Sequence, residues 1–196
     1  MQRRNALKLL VGAAGLPLLS SESLAFFQSI QAQVPQSTAL KAFSADQNAI
    51  VETISELIIP ATDTPGAKAA RVSEFIDLIL SDWSKEDEKT RFLAGVDEVN
   101  HRSQVLYGKR FVDAAAEQQK EILRGFDDEL MAAQQVLLAN RRGNRKPPEK
   151  TFFYMMKQLT LVGYYTSQVG AQEELHYEII PHAHEQCAPV PTTEKS

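Results

Sequence analysis

The chain has one cysteine in 196 residues, Cys187. An internal disulfide is therefore impossible, as are a C-x-x-C-H haem attachment and an iron–sulfur ligand set. Its nine glycines stand at 12, 15, 66, 95, 108, 125, 143, 163 and 170, and no two are separated by a single residue. That spacing excludes the G-x-G core of a dinucleotide fingerprint, and it excludes a P-loop. No apolar run reaches the roughly eighteen residues that would span a bilayer. Positive charge is sparse too, with 21 Lys and Arg against 25 Asp and Glu and a formal net charge of -4. An acidic chain without a basic stripe argues against nucleic acid and anionic membrane surfaces. The dense basic run Arg141, Arg142, Arg145 and Lys146 lies beside Gly143 and Pro147-Pro148, and it reads as a solvated loop.

What is present begins at the N-terminus. Arg3 and Arg4, with Leu7 and Lys8, fit a twin-arginine pattern, although Ala6 stands where Phe is more usual. A weakly apolar run from Leu9 to Leu19 follows, and Ser23-Leu24-Ala25 has the small-x-small form of a cleavage site. Residues 1–25 are therefore expected to be a twin-arginine signal peptide and 26–43 a linker. That route carries folded cargo, often with its cofactor already inserted. Removal of 1–25 would take away Arg3, Arg4, Lys8 and Glu22 and leave about 170 residues, enough for one domain with a real core.

The periodicity is helical almost throughout, and no stretch alternates with period two. Ser44 with Gln47 forms a capping box, and Ile50, Ile54, Leu57 and Ile58 give one apolar face before Pro60. Asp63-Thr64-Pro65-Gly66 is a turn. A second helix is expected near Val72 to Trp83, with Phe75, Ile76, Ile79 and Leu80 inward. A third should start at Ser84 and carry Phe92, Val96, Val99 and Leu106 inward. Phe111 fills a short link, and a fourth helix runs from Ala114 to Asn140 with Ile122, Leu123, Phe126, Leu130, Ala133 and Leu137 inward. The fifth spans Glu149 to Val169 and stops at Gly170. The fold expected is all-α, a single domain of about five helices over 44–170, followed by an extended tail over 171–196.

Few residues suggest chemistry. His176, His182, His184 and Cys187, with Glu174, Glu178 and Glu185, are metal-ligand types, yet their spacing matches no standard zinc pattern. A polar tail docking on a partner is the favoured reading; a stand-alone periplasmic metal-binding protein or hydrolase using these residues is the alternative. Cys187 as a nucleophile lacks a helix N-terminus or rigid frame beside Ala188-Pro189. Asp127-Asp128 and Glu173-Glu174 diverge by about 100° on a helix, so they read as solvated faces, and His101 reads as a surface histidine. No catalytic, cofactor-binding or metal residue is assigned.

The segment from Phe152 to Tyr165 differs from the others. Apolar and aromatic residues surround it, so it is either central to the bundle or shared with a partner. Gly163 within it suggests a close approach by another backbone.

Phe153-Tyr154 through Leu159-Thr160-Leu161-Val162-Gly163-Tyr164-Tyr165-Thr166-Ser167, with Gly170-Ala171, Glu174-Leu175, Tyr177, Pro181 and Cys187-x-Pro189, resembles the gluconate 2-dehydrogenase subunit 3 family. The blocks Ile58 to Ala67, Val72-x-Glu74-Phe75-Ile76, and Gly108-x-x-Phe111 with Glu117-Gln118-Gln119 are similar to it in the right order. The resemblance implies a non-catalytic small subunit of a membrane-associated dehydrogenase acting on gluconate, sugars or polyols. FAD would belong to the large subunit, and haem c or an iron–sulfur cluster to other partners, commonly a multi-haem cytochrome c subunit. It implies an escort that takes the folded flavoprotein through the twin-arginine translocase to the periplasm, where the complex associates with the cytoplasmic membrane. Phe152, Phe153, Tyr154, Tyr164, Tyr165 and Tyr177 are then expected at the partner interface. Cys187, an odd thiol in an oxidising compartment, is a candidate interchain disulfide.

Overall fold

A computed structural model describes residues 29, 39–140 and 150–177; side chains of 136–140 are outside the description. The described residues are helical and contain no strand. The order is α1 (Ala45–Ile58), α2 (Val72–Asp82), α3 (Glu86–Tyr107), a 3-10 turn (Phe111–Asp113), α4 (Ala116–Asn140), α5 (Phe152–Thr166) and a π-helical turn (Val169–Glu174). None of the described helices is long and apolar enough to cross a membrane.

Helix starts follow local hydrogen bonding. At α1 the Ser44 hydroxyl accepts from Gln47 N–H at 3.2 Å and the Gln47 side chain accepts from Ser44 N–H at 3.1 Å, the expected capping box. The third helix begins at Glu86 instead of Ser84, because the Ser84 hydroxyl donates back to the Ile79 carbonyl at 3.1 Å and so closes α2. The fourth begins at Ala116, since Ala114 closes the 3-10 turn with an extended backbone (φ -75°, ψ 152°) and Ala115 N–H is taken by the Gln118 side chain at 3.0 Å. Thr151 caps α5, accepting from Tyr154 N–H. Gly108 ends α3 with φ 68°, the left-handed conformation that favours glycine.

The core is one continuous cluster, and α5 lies at its centre, touching α1, α2, α3 and α4. Ile50, Ile54, Phe75, Ile76, Ile79, Leu80, Phe92, Val96, Val99, Phe111, Ile122, Leu123, Phe126 and Leu130 are buried as the periodicity requires. Leu57, Ile58 and Ala133 are half-buried. Leu106 departs from expectation: it is 61 % exposed, because after Val96, Val99 and Ser103 it is Tyr107, one position on, that packs against the core at the end of α3.

Aromatic rings fill the centre. Phe152 meets Phe92 at 5.3 Å and Phe126 at 5.8 Å, both edge-on, and Arg102 lies 4.0 Å over the Phe126 ring. Glycines set the closest approaches. A Cβ on Gly95 would overlap Phe152, so the absence of a side chain there lets Phe152 of α5 lie directly against α3. A Cβ on Gly163 would lie 2.7 Å from Phe75 Cδ1, so the close approach expected from a backbone is made by an aromatic ring of α2.

Gly125 of α4 meets nothing closer than Arg102 Nη1 at 3.9 Å. Its flexibility serves no packing need there. Gly125→Ala is expected to stabilise the chain by about 0.5–1 kcal/mol, read from the midpoint of urea unfolding.

Candidate functional site

Two hydrogen bonds of long sequence separation join the α1–α2 loop to the end of α5 and the turn that follows it. The loop is held from within by Glu56, whose carboxylate accepts from Ala61 N–H at 2.8 Å and Lys68 N–H at 2.9 Å. Ala67 N–H closes it onto the Ile59 carbonyl at 2.9 Å. Gly66 is required because a Cβ would run into the Glu56 carboxylate and the Ala61 nitrogen. Arg71 then enters α2 with φ 54°, a left-handed conformation uncommon outside glycine. Its guanidinium pairs with Glu74 one turn on. That hydrogen bond raises the Arg71 pKa further above its ordinary value, against a smaller opposing effect of burial.

The other half of the junction comes from the C-terminal side. Ser167 breaks α5: its hydroxyl donates to the Tyr164 carbonyl at 2.6 Å and accepts from Gly170 N–H at 3.1 Å. The chain then turns back through the π-helical turn. Tyr164, fully buried, donates its hydroxyl proton to the Pro65 carbonyl at 2.7 Å, across 99 residues of sequence. Thr64 donates to Glu174 at 2.9 Å, across 110 residues. The two blocks at opposite ends of the sequence that carry the family resemblance are thus bonded to each other.

Two expectations are corrected here. Gly170 is not a stop signal after α5; it is buried within the π-helical turn, against the Tyr164 carbonyl. The chain beyond Ala171 is not extended at once, because helical structure runs on to Glu174. The turn then closes with Leu175 N–H on the Gly170 carbonyl at 3.1 Å and Tyr177 N–H on the Ala171 carbonyl at 2.9 Å.

The structure does not bring the six aromatic residues expected at a partner interface into one patch. Phe152 and Phe153 lie at one end of α5 and Tyr164 and Tyr165 at the other, about 18 Å apart along the axis. Phe152, Phe153 and Tyr164 are buried in this chain's own core. Tyr154 and Tyr165 are half-buried, and Tyr177 is 60 % exposed. Leu175, beside Tyr177, is 51 % exposed.

His101 is at the surface, as expected. Asp127 is paired with Lys157 of α5, so it joins two helices. His176 is exposed with φ 48°, and no group of His, Cys, Asp and Glu among the described residues is arranged to hold a metal. Arg3, Arg4, Leu7, Lys8, the 141–148 loop, His182, His184 and Cys187 lie outside what the structure describes, as does the side chain of Leu137. Sequence reasoning missed three residues here: Glu56, Arg71 and Asp77. Asp77 is buried in α2 and accepts three backbone N–H groups from residues 41–43.

The geometry defines a helical domain whose long-range polar contacts fasten one segment of chain to another. The family model for gluconate 2-dehydrogenase subunit 3 matches residues 45–182, which takes in every element from α1 to the π-helical turn. The chain belongs to that family, whose members are subunits of an oxidoreductase complex. No curated protein and no solved structure matches it.

Proposed function

We propose that this chain is the non-catalytic small subunit of an FAD-dependent dehydrogenase acting on gluconate, a sugar or a polyol. In this reading it binds the folded flavoprotein, brings it through the twin-arginine route and stabilises it in the periplasm at the cytoplasmic membrane. A multi-haem cytochrome c subunit is the further partner. Family membership across 45–182 carries the proposal. The twin-arginine pattern at Arg3-Arg4, on a chain lacking a dinucleotide fingerprint, supports the escort role. Exposed Leu175 and Tyr177 offer a contact of the apolar and aromatic kind that protein interfaces favour.

Purification of the tagged full chain from its own cells is expected to bring down a flavoprotein in equal amount, seen by its flavin absorbance. Replacing Arg3-Arg4 with Lys-Lys is expected to leave the dehydrogenase activity in the cytoplasm. Normal periplasmic activity in that variant would sink the escort role. A non-reducing gel of the complex checks the Cys187 bond, which is absent if all of this chain runs free.

A further inference from the structure

The inward row of α2 continues past the end of the bundle. Val72, Ile76 and Ile79 stand at i, i+4 and i+7 and are buried. Trp83 follows at i+11 on the same side of the helix, yet it is 55 % exposed. Leu40, 38 % exposed, lies at the same end of the domain, because Lys41 Nζ reaches Asp82, the neighbour of Trp83, at 2.9 Å. The chain therefore enters the domain beside an apolar surface. The residues just upstream are unusual for a linker. Charged residues make up 23 % of the chain, but none occurs from Ser23 to Leu40. Phe26, Phe27, Ile30 and Val34 stand at i, i+1, i+4 and i+8, the spacing of one helical face, and Pro35 ends the run. Ser29 is helical and exposed, as a residue turned away from that face should be.

We propose that residues 26–34 dock on the surface of Trp83 and Leu40 as a short helix, with Phe26, Phe27, Ile30 and Val34 toward it. They are then part of the helical domain and not a linker. This docking goes beyond the dehydrogenase reading and does not depend on it. A helix of nine residues is too short to persist alone in water, so it needs a surface for its apolar face. The reach suffices: the five residues 35–39 span up to about 18 Å, more than the length of about 14 Å that such a helix covers. No charge in the segment has to be desolvated on docking. Covalent attachment gives this segment a high effective concentration at the surface, which favours it over a second copy or a separate protein.

Trp83 is the only tryptophan in the chain, so its fluorescence reads the contact directly. In the full chain, purified apart from any flavoprotein, acrylamide is expected to quench Trp83 weakly and equally at every protein concentration. Phe27→Asp combined with Ile30→Asp puts two carboxylates into the apolar stripe. That variant is expected to raise the quenching constant severalfold and to shift the emission to the red. Ser29→Asp, on the other face, and the conservative Ile30→Leu should keep the wild-type value. Strong quenching in the wild type that the paired variant leaves unchanged would overturn the docking. Shielding that grows with protein concentration would make the occupant a second copy, and shielding that appears only when flavoprotein is added would make it the partner; either result overturns the proposal. Amide exchange in the wild-type chain gives a reading that needs no variant to fold. The amides of 30–34 are expected to exchange about tenfold or more slower than in an unstructured peptide, and exchange at the unstructured rate refutes the docked helix.

Discussion

Gly170→Ala is expected to cost about 3 kcal/mol of stability and to release the chain from Val169 to Tyr177. The added Cβ would overlap the carbonyl oxygen of Tyr164 and come within 2.8 Å of its carbonyl carbon. These are backbone atoms of α5, held by Ser167 from two directions: its N–H and its hydroxyl both donate to that oxygen, at 3.1 and 2.6 Å. No side chain can swing aside to make room. The π-helical turn must open, and with it go the Leu175 to Gly170 bond, the Glu174 contact with Thr64 and the support beneath the α1–α2 loop. Urea unfolding gives the cost, and faster amide exchange at 169–177 with slower-changing amides in α3 gives its location. Wild-type stability and exchange in this variant would mean that the turn is not fixed by glycine at all.

Legibility in the sequence followed the range of the interactions. The capping box at Ser44 and Gln47 uses residues three apart, so it could be read directly. The buried faces of α2 and α4 have a helical period and could be read as well. Ser84 and Ser167 could not, because a serine that ends a helix by bonding a preceding carbonyl looks the same in sequence as one that starts the next. Gly163 announced a close neighbour, but its being Phe75 depends on how α2 crosses α5.

The junction itself was half legible. Both of its sequence blocks stood out by resemblance, yet their contact did not. Tyr164 bonds a carbonyl and Asp77 bonds three N–H groups, and backbone partners carry no residue identity to recognise. An Asp between Ile76 and Leu78 reads as a break in an apolar face, although it is the residue that fastens the entry of the chain. Similarly, Glu56 looks like one more surface carboxylate until the loop folds over it.

Phe152→Ala and Tyr177→Ala are expected to separate the core from the partner surface. Phe152 sits 7 % exposed between Phe92 and Phe126, and Gly95 on the opposing helix has no side chain to move into the space. A cavity there can collapse only by shifting α3 against α5, so the loss is expected at about 3–5 kcal/mol in the isolated chain. Tyr177 is 60 % exposed and adds little to the fold, so its truncation should leave stability within about 0.5 kcal/mol. On the proposed assembly the order reverses for binding. Tyr177 presents a large ring on a backbone already held by its hydrogen bond to Ala171, which limits the ordering cost of docking. Tyr177→Ala is then expected to weaken the flavoprotein complex tenfold or more, measured by titrating variant chain against the purified partner. Unchanged affinity would move the interface away from this end of the molecule. A large stability loss from Tyr177→Ala would instead make its ring part of the fold.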